Sequence, residues 1–572
     1  MDSNIRSELY TVIFQYLWNT FNMENKVRKA ANAVAALLNG LPKVVSDTPT
    51  SPNYPVYLKE NMPDHAGLRN LRKKQYDNGS LISVVLIVSN DLNDLRPTVL
   101  SVLAQTYKSF ELIIASESRI PEDIKAADER IVVLTDSDPL NAVEKIISGE
   151  YVMRLFPGDR LEADALRQFS EYFKTKGQPD AIYADNDLHN EYGMRRSPVF
   201  KPAFSPVAEI VFDHIIRPFI VKTSVHKKAD GFCGYGSDDM HAYIMRCIDS
   251  ARRIDNISKI LLSVKTGTSV KKTKGFKIDR SLFAREGMFE GSFRICKKSF
   301  KREPTSIIIG DVTDAESLKT ALEALEDISV NFDSKIVICV GKTIPDPVRS
   351  YLKALKRHKA VSIVTDDDAR SIPALLNRGA ANANSKNLVF FSSCAVIRSP
   401  DSISELVLPL TIKHVAVTGG KLLKPDRTLY NTGTVVGLGG KIGSPYFGTA
   451  DDMEDVNKCF YTSIQRNVSA VSGCMMAVSS ETFLKLGMFD ERLNVFGWDS
   501  EFCIRAINAG MQVVYTPFAE ARLLKLPSGY DEADQADRKH YDEAVKEYKE
   551  RYFSPNYDLR FTDPQLKIRS EH

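Results

Sequence analysis

Two short acidic clusters stand where the chain turns into a helix. Trp498-Asp499-Ser500-Glu501 follows Phe496-Gly497, and Gly236-Ser237-Asp238-Asp239 occupies a comparable place earlier in the chain. A carboxylate at such a position can act as a general base on a hydroxyl. It can equally cap the helix and favour its dipole without any chemistry. Read from the residues alone, capping is the stronger reading for both. Asp185 and Asp187, in YADND, read as charges on a solvated turn. The glycines of GTVVGLGGKIG (Gly433–Gly443) lack the strand-to-helix context of a phosphate-binding loop and read as a turn. Cysteines 233, 247, 296, 339, 394, 459, 474 and 503 are scattered, with no CxxC and no Cys/His cluster. They predict reduced, buried thiols rather than disulfides or a zinc site.

The elements that would position these groups occur twice. SVVLIV and FELIIA flank an amphipathic segment in the first half; SIIIG and KIVICV flank another in the second. Continuous apolar runs suit strands buried on both faces, hence mostly parallel sheets covered by helices. Alternating strands and helices give the α/β class, in which ligands sit beyond the carboxyl ends of the strands. The spacing is too wide for a solenoid, so the pattern is a domain duplication. The expected division is a helical extension and linker at 1–80, a first α/β domain at 81–275, a connector at 276–303, a second α/β domain at 304–528, and a C-terminal helix and tail at 529–572.

Composition narrows the function classes. Among 572 residues, 76 basic and 73 acidic side chains give a net charge of +3, with no long basic run to suggest nucleic acid. No apolar run approaches the ~20 residues of a spanning helix, and the start MDSNIRSELY lacks a secretory pattern. The expected location is cytoplasmic. The apolar rhythm from Leu9 to Leu38 predicts helices that dock on a domain, a protein partner or, as a lesser reading, the inner membrane face.

Taken in order, the motifs resemble those of family 2 glycosyltransferases with the GT-A fold. The first copy contributes RPTVLSVLAQTYKSFELIIAS, GEYVMRLFPGDRLEADALRQF and PDAIYADNDLHNEYGMRRSPVFKPAFSP. The second contributes LLNRGAANANSKNLVFF, GGKLLKPDRTLYNTGTVVGLGG, RNVSAVSGCMMAVSSETFLKLGMFDE and FGWDSEFCIRAINAGMQVVYTPFAE. The resemblance implies two tandem GT-A-like (nucleotide-diphospho-sugar transferase) domains. It also implies inverting transfer of a sugar from a nucleotide sugar to a glycan or surface acceptor in polysaccharide synthesis.

What the resemblance implies residue by residue is mixed. Asp499 becomes the candidate base with Glu501 in support, and Asp239 is its counterpart in the first copy. Nucleotide-sugar contacts fall on Ser116, Asp159, Asp185, Asp187 and Asn377. The family's acid after the second strand is Ser116 in one copy and Val340 in the other. Its metal-binding Asp-x-Asp falls on Phe156 and Gly158, leaving Asp159 as the metal candidate, and on a stretch without acids, Phe390 to Cys394. Mg2+ or Mn2+ would suit hard oxygen ligands; hydroxyls and a thiol would not. No histidine follows either catalytic-helix segment; Lys265 and Lys525 lie nearby and could replace a metal's charge, or simply be solvated. Loss of acids in both copies supports an alternative: a catalytically degenerate homologue acting as scaffold, regulator or glycan-binding subunit. A dinucleotide-dependent dehydrogenase is disfavoured, since neither first strand leads into GxGxxG.

Overall fold

The computed structural model describes residues 53–74, 79–88, 92–232, 239–266, 276–278, 281–289, 291–298, 303–329, 334–440, 442–453, 456–527 and 535–560. The apolar rhythm expected at Leu9–Leu38 and the residue Asp238 lie outside them. Helices α1 (Tyr54–Asn61) and α2 (His65–Lys73) precede the first sheet.

That sheet comprises β1 (Ile82–Val88), β2 (Phe110–Ser116), β3 (Ile131–Thr135), β4 (Tyr151–Leu155), β5 (Arg160–Leu161), β6 (Ala181–His189), β7 (Arg195–Val199), β8 (Phe219–Lys222) and β9 (Ile254–Lys265). A small antiparallel sheet, β10 (Phe276–Lys277), β11 (Leu282–Glu286) and β12 (Phe293–Lys297), follows. The second large sheet contains β13 (Thr305–Ile309), β14 (Ser334–Val340), β15 (Val361–Thr365), β16 (Asn387–Phe391), β17 (Ala395–Ile397), β18 (Val415–Leu423) and β19 (Leu429–Asn431). A two-stranded ribbon, β20 (Val435–Val436) and β21 (Ile442–Gly443), interrupts it. The sheet then resumes with β22 (Arg466–Asn467), β23 (Met475–Ser479) and β24 (Gln512–Leu523).

The two large sheets have the same order. The first runs β3-β2-β1-β4-β8-β6-β9-β5 and the second β15-β14-β13-β16-β23-β18-β24-β17. Along these eight-strand paths each strand of one has a counterpart in the other, in the same sense; β22, paired with β24, is the second sheet's addition. The first four strands of each are parallel, the next pairings are antiparallel, and β6 runs parallel to β9 as β18 does to β24. Duplication is therefore visible in topology and not only in apolar patterning.

The central strands are buried because both faces are covered: Ile82, Val84, Val85 and Leu86 are inaccessible, as are Ile308 and Ile309. The copies also share a core. Phe200, Val207 and Ile260 of the first pack in one cluster with Leu423, Phe460, Tyr461 and Val514 of the second, together with Tyr54 of α1 and Phe553 of the tail. Polar bonds fix this contact. Asn467 Oδ1 accepts from the Val207 amide and the Ser205 hydroxyl, each at 3.0 Å, and Arg294 of the small sheet pairs with Glu405 of the second copy at 2.5 Å. Asn467, in an N-x-S triplet, is thus a buried anchor between copies. No helix among the described residues is long and apolar enough to cross a membrane.

Candidate functional site

In the second copy, helix α3 (Trp498–Asn508) starts after Gly497, which is left-handed at φ 71°. This places Asp499 in the first turn. Its Oδ2 accepts from the Gly473 amide at 2.8 Å and its Oδ1 from the Ser500 amide at 2.7 Å. Gly473 can approach so closely because it has no side chain: a Cβ there would lie 2.2 Å from the Trp498 ring. Burial pushes the Asp499 carboxyl above its ordinary pKa, and the two amides oppose that shift. A carboxylate that is fixed in orientation can accept a proton from a hydroxyl brought to it, and a raised pKa makes it the stronger base.

Glu501 does not support Asp499. It forms a two-pronged pair with Arg505 at 2.9 and 2.6 Å, and Arg505 donates onward to the Leu486 and Met488 carbonyls. It fastens α3 to the preceding turn. Asn377, on a helix from Ile372 to Asn382, is equally occupied. It exchanges hydrogen bonds with the Phe489 backbone at 3.0 and 3.1 Å and donates to Glu491. It ties that helix to the approach to α3.

A carboxylate absent from the sequence reading occupies the second copy's metal-loop position. Asp311 lies just past β13; its carboxylate accepts from the Ser393 amide at 2.8 Å and from the Ser392 hydroxyl. Since β13 and β16 are parallel neighbours, residues just beyond their ends must meet. That adjacency is the signal by which Asp311 could have been found. Burial pushes its carboxyl upward too. Val340 ends β14 with no polar atom to offer.

In the first copy, Asp239 caps the helix Met240–Ser250, accepting from the Ala242 amide at 3.1 Å, as the capping reading expects. Asp159 is fully buried and does not project as a metal ligand. Its oxygens take the Phe156 amide at 3.0 Å and Arg217 at 3.2 Å, and the Arg217 guanidinium lies over the Phe156 ring. Ser116 ends β2, where its hydroxyl accepts from the Ser118 amide at 3.1 Å.

Asp185 and Asp187 occupy no solvated turn: both are inaccessible on β6. Asp187 is held by Arg195 and by the Tyr54 hydroxyl of α1, and Arg195 also pairs with Glu162 at 2.8 Å. Asp185 accepts from the Lys201 amide at 2.8 Å and from Asn556 of the tail at 2.7 Å. These acids anchor the segments flanking the duplicated unit. Reading them as exposed overlooked that the strand continues through YADND.

One ion pair occurs at equivalent places in both copies. Lys265, the last residue of β9, binds both oxygens of Asp94 at 2.5 and 2.6 Å, and Asp94 precedes the helix Leu95–Leu103. Lys525, just beyond β24, pairs with Asp314, which caps the helix Ala315–Ser329 through the Ser317 amide. In the first copy the lysine stem also fills the metal-loop position. A Cβ on Gly158, which sits at φ +96°, would lie 3.0 Å from Lys265 Cβ.

These residues do not fit a divalent cation. Such an ion needs several converging hard oxygens. One loop offers Phe156 and Gly158, with Asp159 turned onto Arg217; the other offers Ser392 and Cys394, with Asp311 engaged by the two serines. Among the described residues no group of three or more His, Cys, Asp or Glu is arranged to hold a metal ion.

No family model matches the chain. It is 24% identical over 604 aligned residues, covering 98% of the chain and 47% of the relative, to O-antigen biosynthesis protein RfbC of Myxococcus xanthus. It is 26% identical over 489 residues, 78% of the chain and 53% of the relative, to the uncharacterized protein y4gI of Sinorhizobium fredii. The chain spans about half the length of the curated relatives it matches. Similar solved structures include GalNAc-T7 with UDP, GalNAc and Mn2+, at 12% identity and TM-score 0.36, covering 46% of this chain and 50% of that one. Another is the mannosyltransferase PcManGT of Pyrobaculum calidifontis with GDP-Man and Mn2+, at 14% identity and TM-score 0.33, covering 46% and 70%. The strand order carries the fold more firmly than these overlaps do. The chain is a tandem pair of α/β domains with one shared strand order, and its motifs resemble those of the family 2 glycosyltransferases with the GT-A fold.

Proposed function

We propose that the chain is a glycosyltransferase of surface-polysaccharide synthesis, transferring a sugar from a nucleotide sugar to a glycan acceptor with inversion, and that the second domain performs the transfer. The observation that carries this reading is Asp499. It sits in the first turn of α3, oriented by the Gly473 and Ser500 amides and raised in pKa by burial. In the proposed step Asp499 accepts the proton of the acceptor hydroxyl. The acceptor oxygen forms a bond to the anomeric carbon as the bond from that carbon to the diphosphate oxygen breaks, and the nucleoside diphosphate leaves from the opposite side. Lys525, adjoining the loop Ser392–Cys394, would face the departing diphosphate once released from Asp314.

The first domain supports a non-catalytic role. Its candidate base caps a helix, and Asp159, Asp185 and Asp187 are each bound by side chains of the fold, through Arg217, Asn556 and Arg195. The degenerate alternative therefore fits this half of the chain better than the other. The test is thermal stabilisation of the intact protein by UDP, GDP and their sugar conjugates, followed by transfer assays. Expected are selective stabilisation by mass action and turnover that vanishes in Asp499→Asn. No stabilisation by any nucleotide, with unchanged behaviour of Asp499→Asn in cells, would replace the reading with a scaffold.

A further inference from the structure

We infer that Asp537 is a positioning residue for Asp499: a C-terminal helix grips the loop from which the base's helix starts, and so fixes where the base carboxylate stands. This rests on the reading of Asp499 as the base. Helix α4 (Gln535–Val545) is mostly charged and polar in sequence, yet Asp537, Tyr541 and Val545, spaced by four, form one buried stripe. A carboxylate on such a stripe costs stability unless its oxygens are bonded. Asp537 takes three successive backbone amides. Its Oδ1 accepts from Asn494 at 2.8 Å, and its Oδ2 accepts from Val495 at 3.1 Å and from Phe496 at 2.9 Å. Its neighbours on α4 hold the same loop. The Tyr541 ring lies edge-on to Phe496 with centroids 5.2 Å apart, the Arg538 guanidinium lies 5.0 Å from the Phe496 ring centre, and His540 bonds Asp490 at 2.9 Å.

The loop needs such a grip because it ends on Gly497. A glycine at φ 71° can rotate where another residue could not, so the turn into α3 is where the base would drift. Tyr541 closes that freedom: a Cβ on Gly497 would lie 2.4 Å from its ring. The first turn of α3 therefore has two fastenings, α4 on the loop ahead of it and the Gly473 amide on the Asp499 carboxylate itself. The Glu501–Arg505 clamp is different in kind. It reaches the Leu486 and Met488 carbonyls, ahead of this loop, whereas Asp537 binds the three residues that adjoin Gly497. A misplacement of about 1 Å at a reacting group can cost roughly a hundredfold in rate, so a small shift of this loop is enough to matter.

The test uses the full chain and hydrogen exchange, read by mass spectrometry at the Gly473 amide. That amide reports the place of the Asp499 carboxylate without any substrate. Asp499→Ala sets the rate of the released amide. Asp537→Ala should speed Gly473 exchange by about tenfold or more relative to the central amides of β16. Asp537→Asn keeps the side chain's shape and one accepting oxygen; it should fall between wild type and Asp537→Ala, and it decides the matter if the alanine variant does not fold. Asn556→Ala loosens the tail at its anchor in the first copy and should leave the Gly473 rate in step with β16. Gly473 exchanging at the wild-type rate in the Asp537 variants, or accelerated only in step with β16, makes Asp537 a pin of its own loop and overturns the inference. Turnover of the sugar conjugates of UDP and GDP separates this from the underlying reading. In Asp537→Ala, kcat should fall roughly ten- to hundredfold with KM for the donor unchanged. Gly473 released with turnover unchanged would remove Asp499 as the base and keep Asp537 as the residue that positions its carboxylate.

Discussion

Asn556 and Asp185 lie 371 positions apart in the chain and are joined by a hydrogen bond of 2.7 Å. The bond places the tail that follows the second copy inside the first, where Tyr557 packs on Phe200 and the Arg551 carbonyl accepts from the Ala203 amide. Asp185 is inaccessible, so losing a donor leaves a buried carboxylate underbonded. Asn556→Ala should cost about 1–3 kcal/mol. It should lower the melting of both copies together, since they share a core. Calorimetry checks this; a melt that splits into two transitions, or does not move, counts against a single cooperative unit.

The duplicated fold was legible because its evidence is local: apolar runs of strand length, repeated in order. The site was only partly legible. The place of Asp499 in the first turn of a helix could be read because that helix start is contiguous in sequence. Asp311 was missed because what puts it at the metal loop is the pairing of β13 with β16, which no local pattern records. The partners of Glu501 and Asn377 were hidden for the same reason. Their residue types fit the motif, but Arg505 and the Phe489 backbone, reached only in the folded chain, consume their polar atoms. Asp185 and Asp187 looked solvated because the partners that neutralise them, Tyr54, Arg195 and Asn556, are spread from one end of the chain to the other.

Stability should fall as pH rises toward neutrality, through Glu162. This carboxyl is buried beside Arg195, which also serves Asp187, so two acids share one guanidinium. Burial chiefly pushes Glu162 up to about 7, against the pull of Arg195. A folded pKa above the unfolded one of 4.5 means that the fold prefers the protonated form. The contribution is complete below about pH 4.5 and is lost as pH climbs through about 7. The loss is bounded by roughly 3 kcal/mol. Glu162→Gln keeps the shape without the charge, so its melting temperature should exceed that of wild type at pH 8 and should lose this pH dependence. A variant less stable than wild type at pH 8 would show that the ionised pair is favourable.

The acids at the two helix starts should separate cleanly on mutation. Asp499→Asn should lower turnover by roughly 10²–10⁴-fold, the usual contribution of a positioned base, and leave donor binding intact. Asp239→Asn should change nothing, because asparagine caps as well as aspartate; Asp239→Ala should cost about 0.5–2 kcal/mol of stability without touching turnover. Glu501→Gln should loosen the Arg505 clamp and lower the melting temperature while the rate at saturation holds. Equal losses of turnover in the Asp239 and Asp499 variants would mean that both copies are active.

The repeated lysine–aspartate pair gives the sharpest test of how a diphosphate would be met. Lys525 and Lys265 are partly accessible, at 47% and 27%, so each can leave its aspartate without an uncompensated buried charge. As a structural pin, a pair this exposed is worth at most about 1 kcal/mol. As a phosphate ligand, the ammonium makes a charge-assisted bond worth about 1.5–3 kcal/mol, which is roughly a 10- to 150-fold change in affinity. The two magnitudes differ enough to decide between the roles. Lys525→Met should weaken UDP or GDP binding by that larger factor, measured by titration calorimetry, with little change in melting temperature. Chelation with EDTA should leave wild-type affinity unchanged, since neither loop offers converging oxygens. If Mn2+ restored binding to Lys525→Met, or wild type bound only with Mn2+, the loop Ser392–Cys394 would have to rearrange around Asp311, and the lysine would revert to a pin.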